Sequence, residues 1–222
     1  MTTLLQKTRR INELLQQKNT LMNTSSMPYN RMAMILGDIL DTITYIISSD
    51  GKLLGINEKY DINNDRVKNI LVERQFPVSY TDLVDRLEKT KENIPITDDL
   101  TAFPIEFREM YPDGLTTIVP IYGAGERLGT IILSKLSDAF NEDDLVLAEY
   151  SATVVGMQIL YQQSRNIEED IRNATAVQMA INTLSYSELK AVQAIFAALD
   201  GDEGRLTASS IADEIGITRS VI

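Results

Sequence analysis

The sequence predicts an α+β protein in which a mixed N-terminal domain is joined by a long helix to a small helical domain. Two pairs of β-rich runs surround the turn signals at 49–52 and 123–127, and helical patterns flank them. A helical pattern without proline then extends from Asn141 to Leu184. We therefore assign 1–140 to the first domain, 141–184 to the long helix and 185–222 to the second domain.

The composition limits the chemistry that this chain can perform. Neither cysteine nor histidine occurs among the 222 residues. Disulfides, thiolate zinc sites, imidazole metal ligands and Ser-His or Cys-His nucleophile pairs are thereby excluded. We expect no enzyme, no catalytic residue, no metal and no cofactor.

The net charge of −11 is unevenly distributed, with five Lys/Arg and thirteen Asp/Glu in residues 141–222. Such acidity counts against nucleic-acid binding unless a local basic patch overrides it. The N-terminus is an amphipathic helix and not a signal peptide, and no apolar run approaches the ~18 residues of a membrane span. We expect a cytoplasmic protein without membrane contact.

The first domain combines helices with two hairpins of antiparallel strand. Asp50-Gly51 gives the first turn, and the glycines around Ala124 give the second. We expect helices over 31–40, 64–74 and 80–93, hairpins over 42–56 and 114–136, and an irregular loop with a short strand over 94–107. PAS and GAF domains are both built in this way, and both commonly hold a small ligand, so we expect a sensor domain of one of these two kinds.

The stretch from Gly123 to Gly129 also resembles a nucleotide-binding loop. It lies between two strands, however, and lacks both a following helix and the Gly-Lys-Ser/Thr ending. A hairpin turn is the better interpretation.

The long helix begins with a capping signal. Asn141 can accept backbone N–H bonds, and Glu142, Asp143 and Asp144 stand at the positive end of the helix dipole. These acids, like those at 168–170, lack the spacing of a calcium loop, so capping and a solvated helix face explain them without a metal.

The second domain has the pattern of a helix-turn-helix. Ser185 and Glu188 have capping-box spacing. Further on, Gly216 can make the sharp turn and Thr218 can cap a second helix. An ordinary helical hairpin is the alternative. If the domain binds DNA, we expect the contacts from Ala208, Ser209, Ser210, Gly216, Thr218, Arg219 and Ser220. Because the sequence stops one turn into the second helix, we expect the DNA-binding domain to be incomplete here.

Several stretches together carry a family resemblance, among them NDRVKNILVERQFP, TAFPIE, GLTTIVPIYGAGERLGTIILSKL, FNEDDLVLAEYSATVVGM and IADEIGITRSVI. Over essentially its whole length the chain resembles the CodY family of nutrient-sensing global transcriptional repressors of low-GC Gram-positive bacteria. The resemblance implies a GAF domain that binds branched-chain amino acids (Ile, Leu or Val), a linker helix and a winged helix-turn-helix. It also implies a homodimer or higher homo-oligomer that binds operator DNA.

Arg66 is the candidate site residue of the first domain. From the residues alone, a solvated arginine on a helix face is favoured. The resemblance implies instead that Arg66 holds the ligand carboxylate and that backbone groups of Thr101 and Phe103 bind the polar end of the ligand. The apolar pocket it implies is formed by Val67, Ile70, Phe76, Pro77, Tyr80, Ala102, Pro104 and Ile105.

The family is also GTP-sensing, and here the sequence departs from it. Members that respond to GTP carry a basic pair where this chain has Ser49-Asp50, and charged residues at Gln158 and Gln163. Ser48 and Lys52 remain as a possible residual GTP site. Since Asp50 would repel a triphosphate, we expect GTP to bind weakly or not at all.

The implied function is a population shift in which ligand binding closes the loop 101–105, moves the long helix and repositions paired DNA-binding domains. A GAF-type methionine-sulfoxide reductase is excluded because that chemistry needs cysteine. The alternative function is a ligand-sensing module that acts through protein partners without DNA contact, which the acidic surface favours.

Overall fold

The computed structural model describes residues 3–16, 27–59 and 65–199, together with Thr207, Ser209 and Gly216. The chain divides into two compact units, 1–163 and 164–222. The helices are α1 (Leu4–Gln16), α2 (Asn30–Leu40), α3 (Asp65–Glu73), α4 (Val78–Asp85), α5 (Glu142–Thr183) and α6 (Tyr186–Ala198), with a 3-10 turn at Ile105–Phe107. The strands are β1 (Ile43–Ser48), β2 (Leu53–Asn57), β3 (Lys91–Pro95), β4 (Leu115–Gly123) and β5 (Glu126–Lys135).

The first unit is built on one antiparallel sheet of order β2-β1-β5-β4-β3. Both predicted hairpins are confirmed. In the second, Gly123 pairs with Glu126, and Ala124 and Gly125 have φ angles of 52° and 86°. Two consecutive positive φ angles are typical of the tight turn that suits strand twist. The glycine-rich stretch is therefore a hairpin turn, as expected.

Alternation along the strands produces two separate cores, one on each face of the sheet. Ile131 and Leu133 of β5 lie in one core, with buried side chains of α1, α2 and α5. Ile132 lies in the other, which also contains Phe76, Tyr80 and Leu100. Because successive strand residues point to opposite faces, both faces of the sheet are covered.

The segment 80–93 differs from its prediction as one helix. Helix α4 ends at Asp85, and Lys91 already belongs to strand β3 at the edge of the sheet. The β3 residues Lys91 and Glu92 are exposed, while Ile94 is buried. Charged residues are usual on an edge strand, and here they hide the alternation of a strand.

Helix α5 begins as predicted, because the Asn141 Oδ1 atom accepts the Asp144 N–H at 3.0 Å. Asp144, however, is not on a solvated face. Its carboxylate is buried and lies 2.8 Å from the Lys135 Nζ atom and 3.8 Å from that of Lys7. These ion pairs provide the counter-charge that a buried carboxylate requires.

Within the first unit α5 is packed through small and apolar residues, including Ala148, Ala152 and Val155. In the second unit, the predicted apolar positions Ile167 and Ile171 of α5 are exposed. Helix α6 starts with the predicted capping box. The Ser185 N–H donates to Glu188 at 2.7 Å, and the Glu188 N–H donates to the Ser185 Oγ atom at 3.4 Å.

Two features are absent from the described residues. No group of three or more acidic side chains is placed to hold a metal ion, and none of the described helices is long and apolar enough to cross a membrane.

Candidate ligand-binding site

A cavity of about 300 Å³ lies in the first unit, between the α3–α4 region and the loop that joins β3 to β4. That size is at the lower end of the range for small-molecule sites. The lining residues are Val67, Ile70, Phe76, Pro77, Tyr80, Asp98, Asp99, Thr101, Ala102, Phe103, Pro104 and Arg108.

Most of the residues predicted to form a ligand pocket line this one cavity. The exceptions are Arg66 and Ile105, whose side chains lie outside the described part of the structure. Their backbones belong to α3 and to the 3-10 turn. The sequence therefore anticipated where a cavity would form, while the role of each residue toward a ligand stays a prediction.

Aromatic contacts make one wall of the cavity rigid. The Phe76 ring meets Tyr45 edge-on at 5.4 Å between centroids and Tyr80 at 5.8 Å. The Tyr80 hydroxyl donates to the Leu100 carbonyl at 3.1 Å, which ties α4 to the opposite loop. Burial, assisted by the nearby Glu58 carboxylate, raises the pKa of Tyr45, so this ring stays neutral.

Hydroxyl groups attach the β3–β4 loop to the sheet. The Thr116 Oγ1 atom accepts the Ala102 N–H at 3.2 Å and lies 3.3 Å from the Thr101 hydroxyl. The Thr101 Oγ1 atom in turn accepts the Phe103 N–H at 3.3 Å. Since Thr116 is fully buried on β4, the loop is anchored at its centre and not only at its ends.

Three charged residues of the lining were not among the predicted site residues, namely Asp98, Asp99 and Arg108. Asp98 accepts the Leu100 N–H at 2.9 Å and lies 3.8 Å from the Lys91 ammonium group. The Arg108 Nε atom is buried and has no hydrogen-bond partner among the described residues. All three stand in an irregular loop, where no helical or strand period indicates which side chains turn inward.

The same loop is connected to the start of α5 through Asn93 of β3. The Asn93 Nδ2 atom donates to the Phe140 carbonyl at 3.1 Å, and the Phe140 N–H donates to the Asn93 Oδ1 atom at 2.8 Å. Asn93 has a φ angle of 50°, a left-handed conformation that asparagine tolerates better than most residues. One amide thus bonds both backbone groups of the residue preceding Asn141.

Ser48 and Lys52, the possible residual GTP site, are brought together in the β1–β2 turn. The Lys52 N–H donates to the Ser48 Oγ atom at 3.0 Å, and that hydroxyl donates to the Asp50 carboxylate. The bond from Ser48 lowers the pKa of Asp50, so this carboxylate is ionised at neutral pH beside the Lys52 ammonium group. Elsewhere, Gln158 is buried and Gln163 is exposed.

Most of the predicted DNA-contacting residues lie outside the described residues, namely Ala208, Ser210, Thr218, Arg219 and Ser220. Of the other two, Ser209 lies with its hydroxyl 3.3 Å from that of Thr207. Gly216 has a φ angle of 69°, as its predicted place in a sharp turn requires.

Comparisons with known proteins agree with this architecture. The family model described as the CodY GAF-like domain matches residues 3–183, and the CodY helix-turn-helix domain matches residues 202–222. The chain is 53% identical over 221 residues to the global transcriptional regulator CodY of Lysinibacillus sphaericus, covering 99% of this chain and 83% of that protein. It is also 53% identical over 220 residues to the regulator of the same name from Listeria monocytogenes serotype 4a, with the same coverage.

Among solved structures, the chain is similar to the GAF domain of a phosphoenolpyruvate-protein phosphotransferase from Coxiella burnetii. The TM-score is 0.54 at 12% identity, over 75% of this chain and 99% of that domain. At so low an identity the likeness concerns the fold alone, and that fold is a GAF domain.

Proposed function

Because this chain belongs to the CodY family of global transcriptional regulators, we propose that its GAF domain binds a branched-chain amino acid and thereby controls DNA binding by its helix-turn-helix. The observation that carries the proposal is the cavity between α3, α4 and the β3–β4 loop. Isoleucine, leucine and valine are the effectors, and the outcome on most target genes is repression.

The lining of the cavity suits such a ligand. An aliphatic side chain needs an apolar sleeve, which Phe76, Tyr80 and Phe103 provide, and its charged groups need polar partners at one end. Arg66 stands in α3 one helical turn before the lining residue Ile70, and we assign the ligand carboxylate to it. Backbone groups of Thr101 and Phe103 take the remaining polar contacts.

We attribute the response to a population shift between two arrangements of the β3–β4 loop. The loop follows β3, whose Asn93 bonds the backbone of Phe140 immediately before α5. A change in the loop can therefore be transmitted to α5, which continues beyond the GAF core toward the helix-turn-helix. The ligand shifts the equilibrium only by its difference in affinity for the two arrangements.

The remaining parts of the proposal follow from the family. We assign 1–140 to ligand sensing, 141–184 to the linker helix and 185–222 to DNA binding, as part of a winged helix-turn-helix. Helix-turn-helix proteins usually bind two DNA half-sites, so we propose a homodimer or higher homo-oligomer. The protein acts in the cytoplasm, without enzymatic activity.

We further propose that GTP binds weakly or not at all. Asp50 keeps its charge beside Ser48 and Lys52, and a fixed carboxylate repels a triphosphate. Titration with GTP tests this statement directly. Saturable binding below millimolar concentration would contradict it.

Isothermal titration with isoleucine is the decisive experiment on the cavity. We expect saturable binding that Arg66→Ala abolishes or weakens at least about tenfold, since a charge-assisted carboxylate contact is lost. Arg86→Ala is the matched control, because Arg86 is exposed at the end of α4 and does not line the cavity. If neither the unchanged protein nor the control binds isoleucine, the ligand assignment is wrong.

The DNA output needs a separate measurement. Because we expect operator binding to need a complete helix-turn-helix domain, the measurement uses the protein with that domain completed. We expect this protein to retain a subset of genomic DNA fragments and isoleucine to strengthen that retention. A protein that binds isoleucine yet retains no DNA with or without it would favour a module that acts through protein partners, which the acidic balance of 141–222 also suits.

A further inference from the structure

The Arg108 side chain lines the cavity, and its guanidinium contains an unsatisfied donor. Its Nε atom is buried and finds no acceptor among the described residues, although the residue as a whole is half-buried. A buried donor on a charged group is costly when it has no partner. Because the Nε atom is itself closed off from the space of the cavity, the terminal N–H groups of this guanidinium are the ones that can meet an acceptor on a ligand.

The charges around the cavity define what that acceptor is. Two carboxylates, Asp98 and Asp99, line the same space as the Arg108 guanidinium. A ligand with several negative charges, such as a nucleotide phosphate, would meet both carboxylates at close range. A zwitterion satisfies both signs, with its carboxylate at the guanidinium and its ammonium group near the acids.

The size of the cavity leads to the same class of ligand. About 300 Å³ accommodates a free amino acid. The aromatic and aliphatic part of the lining then selects an apolar side chain.

We propose that Arg108 is a second carboxylate-binding residue of this site, which donates its terminal N–H groups to the ligand carboxylate. The inference rests on the proposed amino-acid sensing and adds to it a residue from the β3–β4 loop. A carboxylate offers about four acceptor positions, so it can accept bonds from Arg66 and Arg108 together. Because Arg108 stands on the loop and Arg66 on α3, the ligand joins the two walls of the cavity.

A double-mutant cycle between protein and ligand tests the contact. The unchanged protein and Arg108→Met are each titrated with isoleucine and with isoleucinamide, which keeps the side chain and the ammonium group but has no carboxylate. We expect Arg108→Met to weaken isoleucine binding about tenfold or more. The same change should alter isoleucinamide binding less than about threefold, since this ligand has no carboxylate for Arg108 to contact in either protein.

A second readout separates binding from a structural role. Methionine keeps the apolar stem of Arg108 and removes the unsatisfied donor, so the ligand-free Arg108→Met protein should melt at the same temperature or higher. Its melting temperature should rise less with isoleucine than that of the unchanged protein. Arg86→Met is the control and should behave as the unchanged protein in both assays.

Three results would overturn the inference. If Arg108→Met binds isoleucine as well as the unchanged protein, Arg108 makes no contact with the ligand. If Arg108→Met weakens the binding of isoleucine and of isoleucinamide by the same factor, the role of Arg108 is structural. If the unchanged protein binds no isoleucine, amino-acid sensing fails and this inference fails with it.

Discussion

At the scale of single residues, Arg127 makes the densest set of contacts in the first unit. Its guanidinium donates to the carbonyls of Val84, Leu87 and Gly129 at 3.2, 2.5 and 2.7 Å, and to the Thr130 hydroxyl at 2.9 Å. The first two carbonyls lie near the C-terminal end of α4. A cation is favourable there because unpaired carbonyls accumulate at that end of a helix.

We therefore expect Arg127→Met to destabilise the protein by about 2–4 kcal/mol, because several charge-assisted bonds are lost at once. Urea denaturation measures the free energy of unfolding. Arg86→Met provides the comparison at an exposed site, where less than about 0.5 kcal/mol is expected. Equal effects of the two changes would show that the Arg127 bonds contribute little.

Ser48 sets the charge state of the β1–β2 turn. Its hydroxyl lowers the pKa of Asp50, so Ser48→Ala should raise that pKa toward its ordinary value in an NMR titration. Because the folded-state pKa is the lower one, Asp50 adds stability that is present above its unfolded pKa and is lost as pH falls through its folded pKa. Ser48→Thr retains a hydroxyl and should leave the pKa of Asp50 low.

At the scale of elements, Gly156 sets how closely α5 approaches the sheet. A Cβ atom at this position would lie 2.5 Å from the Tyr122 carbonyl oxygen of β4. Alanine in an exposed helix is better than glycine by about 1 kcal/mol. Here the added Cβ atom would meet backbone that cannot rotate away, so the change from glycine to alanine is destabilising.

We expect Gly156→Ala to lower the free energy of unfolding by about 1–3 kcal/mol, as overpacking usually does. Thermal and urea unfolding measure it, with the exposed Ser164→Ala of the same helix as a control. An unchanged or higher stability would mean that α5 moves away from β4 at little cost.

The elements that the sequence predicted correctly are those specified by neighbouring residues. The Asp50-Gly51 and Ala124-Gly125 turns and the Asn141 cap each depend on a few adjacent residues, and all are present. The start of strand β3 was wrongly assigned to a helix, because the strand is held in place by β4, at least twenty residues away, and its exposed charged residues resemble a helix surface.

The cavity was predictable only in part. Its apolar wall follows from a family resemblance, and those side chains meet there. Three other lining residues, Asp98, Asp99 and Arg108, are exposed or half-buried and lie in an irregular segment. No helical or strand periodicity in the sequence indicates that their side chains reach the cavity. Asp144 was likewise assigned to a solvated helix face, because the lysines that neutralise it come from α1 and β5.

At the scale of the whole molecule, the pair of bonds between Asn93 and Phe140 is the direct link from the cavity loop to α5. Asn93→Ala removes both bonds but leaves every lining residue in place. We expect isoleucine affinity to stay within about threefold, while the effect of isoleucine on DNA retention is reduced or lost. Titration and DNA retention, measured on the same preparation, separate the two properties.

Glu92→Ala is the control for this change, since Glu92 is an exposed neighbour on the same strand. It should preserve both properties. If Asn93→Ala retains the full isoleucine effect on DNA, the signal reaches α5 by another route.

The Phe140 amide proton has an unusual position as a consequence of this link. It is held by a side chain of β3, at 2.8 Å, and neither by a strand partner nor by a helical turn. Its exchange with deuterium therefore requires the Asn93 bond to open, while neighbouring sheet amides can stay closed. A ligand that tightens the β3–β4 loop should slow exchange at Phe140 more than at the centre of β5. The exchange rate of this single backbone proton then reports whether the cavity is filled.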